Sequence, residues 1–128
     1  MMRISAIVEG HGEVRAVPIL LRRLMTWRPV NEPVEILPPI RVPRDRFLNK
    51  PEEFHRYLQL ARQKAGPDGW ILVLLDADDD CPATKAAEVL ARARKNVPAG
   101  RLSVVLANRE FEAWYIGAGR SLNGFRGL

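Results

Sequence analysis

Four acids fall within five residues at Asp76, Asp78, Asp79 and Asp80, directly after the apolar run Trp70-Ile71-Leu72-Val73-Leu74-Leu75. Carboxylates crowded this closely raise one another's pKa, and a divalent cation or a set of hydrogen-bond donors is what normally offsets that cost. A second acidic motif, Glu9-Gly10-His11-Gly12-Glu13, follows the shorter apolar run from Ile4 to Val8. Oxygen ligands without His or Cys suit hard cations such as Mg²⁺ and Mn²⁺, which assist attack on phosphate esters. The plainer reading of the Asp cluster is a solvated turn that caps the next helix.

Chemistry at these residues needs rigid elements behind them. Six apolar residues rich in branched side chains read as a buried strand, so Asp76 stands where that strand leaves the core. Ile4 to Val8 reads as a first strand, and Gly10 and Gly12 let the chain turn sharply into a helix, leaving Glu9 at the strand's carboxyl end. In a parallel sheet all such ends lie along one edge, so Glu9 and the Asp cluster are expected to face one crevice.

The pairing of Ile7-Val8-Glu9-Gly10 with Asp76-Ala77-Asp78, each at a strand end, resembles the Toprim domain of primases, topoisomerases and OLD-family nucleases. More narrowly, the chain looks like an uncharacterised bacterial family with a Toprim-like fold; the resemblance spans about residues 3 to 117 and rests on a handful of positions. The spacing of Glu9 and Glu13 is similar to the nuclease branch. The resemblance implies a metal site of Glu9, Glu13, Asp76 and Asp78 for one or two Mg²⁺ or Mn²⁺ ions. It also implies that an acid after a later strand completes a second site, Glu112 in preference to Glu110. Glu9, Asp76 and Asp78 are then the catalytic carboxylates. His11 departs from the small or polar residue expected in the first turn. Asp80 lacks the Gly and His context of type II topoisomerases, which argues against that branch.

Other motifs fail on the same residues. An EF-hand loop starting at Asp76 needs Gly at its sixth position and Glu at its twelfth, where Cys81 and Ala87 stand. No segment supplies the Gly-x4-Gly-Lys-Ser/Thr of a P-loop. A dehalogenase-type phosphotransferase also uses Asp-x-Asp, but its nucleophile normally follows the first strand.

The 128 residues are 47% apolar, which suits one folded domain over residues 1–128. No apolar run approaches the roughly 20 residues of a membrane span and no signal-peptide pattern opens the chain, so a cytoplasmic protein without membrane contact is expected. Cys81 is the only cysteine, which excludes an intramolecular disulfide. The net charge is +5, although the proposed site is acidic. A basic exterior around an acidic crevice suits a phosphodiester substrate, with Arg22, Arg23 and Arg28 as one candidate patch and Arg41, Arg44 and Arg46 as the nucleic-acid-binding patch. Solvated surface arginines are the simpler alternative.

Periodicity predicts a helix from about Glu13 to Thr26 with Val17, Leu20, Leu21 and Leu24 inward. A short strand near Val34 to Leu37 and an irregular loop follow, because Pro33, Pro38, Pro39 and Pro43 punctuate the segment. Pro51 opens a helix to about Ala65, with Phe54, Tyr57, Leu58 and Ala61 on one face and His55 at the surface. Pro82 to Asn96 reads as another helix, with Ala86, Ala87, Leu90 and Ala91 inward and Lys85, Arg92 and Lys95 outward. Leu102 to Ala107 is a last strand, and Phe111 to Ile116 a short helix carrying Glu112. The glycine-rich tail from Gly117 reads as an unfinished end, either a truncated product or a naturally short version, and dimerisation or weak stability is expected if a covering helix is missing.

The expected fold is therefore α/β and Toprim-like (Rossmann-like), a mainly parallel sheet of about four strands with helices on its faces. The expected function is a metal-dependent phosphodiester hydrolase acting on DNA or RNA. Its rival is a non-catalytic module that binds nucleic acid or a partner protein; a dehalogenase-type phosphotransferase is the third reading.

Overall fold

In a computed structural model, which describes residues 2–27, 33–76, 81–97 and 101–107, the chain runs β1 (Met2–Val8), α1 (His11–Trp27), β2 (Val34–Ile36), β3 (Ile40–Arg41), α2 (Arg44–Asn49), α3 (Pro51–Ala65), β4 (Trp70–Asp76), α4 (Pro82–Asn96) and β5 (Arg101–Ala107). All pairings are parallel, in the order β2-β1-β4-β5, and β3 also pairs with β1. The fold is α/β, a parallel sheet flanked by helices in the Rossmann-like manner.

Strands covered on both faces read as continuous apolar runs, and the two faces here hold separate cores. Ile7, Ile71, Val73, Leu75, Leu102 and Leu106 pack under α2, α3 and α4 with Phe47, Phe54, Leu58 and Val89. Ala6, Val8 and Leu74 on the opposite face meet Val17 of α1 and its half-buried neighbours Val14 and Leu21. Pro51 and Pro82 stand in the first turns of α3 and α4, where a missing N–H costs nothing. Gly66 ends α3 at φ 79 and ψ 175, a conformation open essentially to glycine alone. Arg62 then donates from Nη1 to the Gly66 carbonyl at 2.7 Å and fastens this turn to the helix.

The sheet has five strands where about four are expected, and the expected irregular loop, which ends at Arg46, holds β3 and the start of α2. Proline explains the interruption and burial explains the order. Pro38 and Pro39 have no N–H to give a ladder, so the edge beside β1 splits, β2 pairing with Met2 to Ile4 and β3 with Ile7 and Val8. Phe47 and Leu48 then bury completely or nearly so, with the Phe47 ring centroid 4.9 Å from that of Phe54. Their spacing on six residues is too short for a periodicity to show.

Two helix faces also differ from expectation. In α4, Val89 and Ala93 are buried with Ala86 and Leu90 against them, whereas Ala87 and Ala91 are exposed. Small alanines on several sides had blurred the apolar stripe. Arg92, expected outward, lays its guanidinium 4.3 Å from the Phe54 ring centroid and donates to the Leu48 carbonyl at 2.9 Å, satisfying an end of α2. In α1, Leu24 is exposed together with Ile19 and Trp27. His55 is at the surface as expected, 2.7 Å from the Asn96 side chain. Among the described residues no helix is long and apolar enough to cross a membrane.

The docking of α2 is open to test. Phe47→Ala should lower stability by about 3–5 kcal/mol, the cost of emptying a buried aromatic site, whereas an irregular exposed loop would lose under about 0.5 kcal/mol. Urea unfolding midpoints distinguish the two.

Candidate functional site

From β1 the chain crosses to β2 on one side and later returns to β4 on the other, so the strand order reverses between β1 and β4. Helix α1 lies on one face there and α2 to α4 on the other. Such a reversal opens a crevice at the carboxyl ends of the two strands, the usual ligand position in open parallel sheets. Val8 registers opposite Leu74, which puts Glu9 just past the end of β1 and Asp76 at the end of β4 side by side. Both arise from the most buried part of the sheet: Ile7, Val8 and Val73 are fully buried and Leu74 and Leu75 nearly so.

Contacts tie these ends together. The Asp76 backbone N–H is aimed at Glu9 Oε1 across 3.5 Å, a long and weak hydrogen bond. Glu13, in the first turn of α1, folds its carboxylate back over the turn, so that a Cβ added at Gly10 would lie 2.5 Å from Glu13 Oε2. That close approach is what glycine permits at this position. Arg44 donates from Nε to the Asp76 carbonyl at 2.6 Å and from Nη1 to Asp45 at 2.8 Å. Arg41 donates from Nε to the Glu9 carbonyl at 3.3 Å.

Burial, foremost, raises the Glu9 pKa above its ordinary 4.5; the Asp76 N–H and Arg44 act against this, and the charges of Asp76 and Glu13 add to it. Glu9 thus lies within electrostatic reach of both Asp76 and Glu13. Glu9, Glu13 and Asp76 are brought to one end of the sheet. Asp78 and Glu112 lie outside the described residues, as do Asp79, Asp80, Arg109, Glu110 and the side chain of His11. Among the described residues no group of three or more His, Cys, Asp or Glu side chains closes tightly enough to hold an ion.

The expected arginine patch divides. Arg41 and Arg44 reach the strand ends, whereas Arg46 pairs with Glu53 of α3 at 3.0 Å. Sequence reasoning had no view of Arg44 as a carbonyl clamp. The available signal was Pro43 ahead of Arg44-Asp45, with Phe47-Leu48 and Pro51 following, a short helix framed by prolines.

These features define an α/β protein with a Rossmann-like parallel sheet and an acidic crevice at its strand-order reversal. Residues 8–126 match the family model described as Domain of unknown function (DUF4276), and the chain belongs to that family. No curated protein and no solved structure matches it.

The raised pKa of Glu9 has a consequence for stability. Folded Glu9 keeps its proton to higher pH than the unfolded chain does, so its contribution to stability falls as pH rises from 4.5 through the raised value, and stays lost above it. Glu9→Gln removes that loss. In chelator, its melting temperature should equal or exceed wild type at pH 7, with the gap closing in acid; a variant that melts well below wild type at pH 7 would contradict this.

Proposed function

We propose that this protein is a metal-dependent phosphodiester hydrolase, nuclease-like, acting on DNA or RNA from a Toprim-like arrangement of acids. The observation that carries the reading is the meeting of Glu9, Glu13 and Asp76 at one strand-order reversal with two arginines beside them. The chemistry of the donors suits a hard cation, although Glu9, Glu13 and Asp76 alone do not close around one. The donor set consists of carboxylate oxygens alone, the ligand type such ions prefer. Glu9, Glu13 and Asp76 would hold the ion, with Asp78 and Glu112 completing a site for one or two. Bound Mg²⁺ or Mn²⁺ supplies charge neutralisation and polarisation at the phosphoryl group.

The chain's own residues supply the rest. Glu9, made more basic by its burial, would in its ionised form take a proton from the attacking water. The buried ends Val8, Leu74 and Leu75 hold the carboxylates in fixed positions, which limits the reorganisation needed during reaction. The excess of 20 Lys and Arg over 15 Asp and Glu favours an anionic substrate.

A second reading draws on Arg44. Its guanidinium already brings positive charge to Asp76 and Glu9, as a non-catalytic module for nucleic acid or a partner protein would require. Turnover separates the two. The purified protein is incubated with supercoiled plasmid, single-stranded DNA and structured RNA, each with Mg²⁺, Mn²⁺ or chelator. Mn²⁺ should raise the melting temperature of the wild type by mass action, and Asp76→Asn should remove that rise. Glu9→Gln should cut turnover by at least about a hundredfold. Wild-type protein that binds metal and nucleic acid but never cleaves would establish the binding module instead.

A further inference from the structure

Three arginines within six residues, Arg41, Arg44 and Arg46, look interchangeable in sequence, yet the fold gives each a different neighbour. Arg41 leaves β3 opposite Val8, and its only hydrogen bond among the described residues is the one from Nε to the Glu9 carbonyl. The residue is exposed. Arg44 opens α2 with a side chain only 13% exposed, and its Nε bond to the Asp76 carbonyl is short at 2.6 Å. Arg46 bonds Glu53 Oε2 at 3.0 Å, and Glu53, with its side chain 11% exposed, also receives Arg56 at 3.3 Å. Arg46 thus serves a buried acid of α3 and neither strand end.

Contacts run from Arg41 to the Glu9 carbonyl, from the Glu9 carboxylate to the Asp76 N–H, and from the Asp76 carbonyl to Arg44. Both guanidinium groups use Nε on the main chain, which sets the plane of the group. In Arg41 the two Nη groups then remain as an exposed fork beside the Glu9 carbonyl. A planar fork of N–H donors matches two phosphate oxygens at once, which an ammonium cannot do.

We propose that Arg41 is the phosphate-binding residue of this crevice, that Arg44 is a positioning residue holding the end of β4, and that Arg46 takes no part in substrate binding. The ligand class is a phosphodiester backbone, one phosphate of which sits against Arg41 next to the acidic strand ends. This deepens the hydrolase reading and rests on it only where turnover is measured.

The test uses the full chain and a fluorescein-labelled single-stranded oligonucleotide in chelator, with affinity read by anisotropy across a salt series. Arg41→Gln should weaken binding and lower the slope of log affinity against log salt by about 0.7, one phosphate contact on a single strand. Arg41→Lys should keep the slope and lose part of the affinity. Arg46→Gln should leave slope and affinity as in wild type. Arg44→Gln should keep the slope in chelator but, assayed separately with Mn²⁺, lower kcat by an order of magnitude or more with little change in KM, a split expected of misplaced acids. Arg44→Lys, which retains a donor for the Asp76 carbonyl, should recover part of that loss and covers the case in which Arg44→Gln does not fold.

An unchanged slope in Arg41→Gln overturns the proposal, as does an equal drop in Arg46→Gln or a wild type that binds no oligonucleotide at any salt. If the wild type binds but never turns over, the hydrolase reading fails while the Arg41 slope still decides the phosphate contact. Arg44 is then read through Mn²⁺ affinity by calorimetry: weakened binding in both Arg44 variants, less so in Arg44→Lys, supports the positioning role, and wild-type affinity in Arg44→Gln overturns it.

Discussion

The parallel pairing of β1 with β4 is the constraint on which the site depends. It places Glu9 and Asp76 together although 67 positions separate them in sequence. Charges of one sign do not gather unaided. The approach is held by five matched residue pairs along the two strands and by the burial of Ile7, Val8, Val73 and Leu74 beneath them. Against that framework one N–H and one guanidinium oppose the rise in the Glu9 pKa, which burial chiefly causes.

The two walls of the crevice are held differently. On one side Arg44 depends on α2, which depends on Phe47 against Phe54, while Arg92 of α4 stacks on Phe54 and bonds the Leu48 carbonyl. Those contacts connect the Asp76 end to the larger core. On the other side Glu13 rides on α1, whose inward residues form a smaller core and whose far part exposes Ile19, Leu24 and Trp27. The Asp76 wall is thus tied to the larger core and the Glu13 wall to the smaller one.

Much of this was legible in the residues because the signals were local and strong. The run from Trp70 to Leu75 could only be a buried strand, Pro51 and Pro82 marked helix starts to the residue, and Gly10 announced the turn that frees Glu9. The nearness of Glu9 to Asp76 followed from parallel topology alone. What escaped was short or non-local. β3 has two residues and α2 six, so neither carries a period. The roles of Arg41, Arg44 and Arg92 are hydrogen bonds to carbonyl oxygens, which every residue possesses and no pattern advertises. Ala87 and Ala91 misled because alanine is apolar enough to count toward a stripe and small enough to face water.

The divided edge formed by β2 and β3 bears on how the molecule behaves among copies of itself. An uninterrupted outer strand offers a row of unpaired N–H and C=O groups, a template on which a second chain can extend the sheet. Here the outermost segments have three residues and two, with Pro38 and Pro39 between them. No incoming strand can find a continuous ladder along that border. The prolines that interrupt this edge therefore also discourage edge-to-edge pairing along it, together with the charged side chains of Glu35 and Arg41 that the two short strands carry.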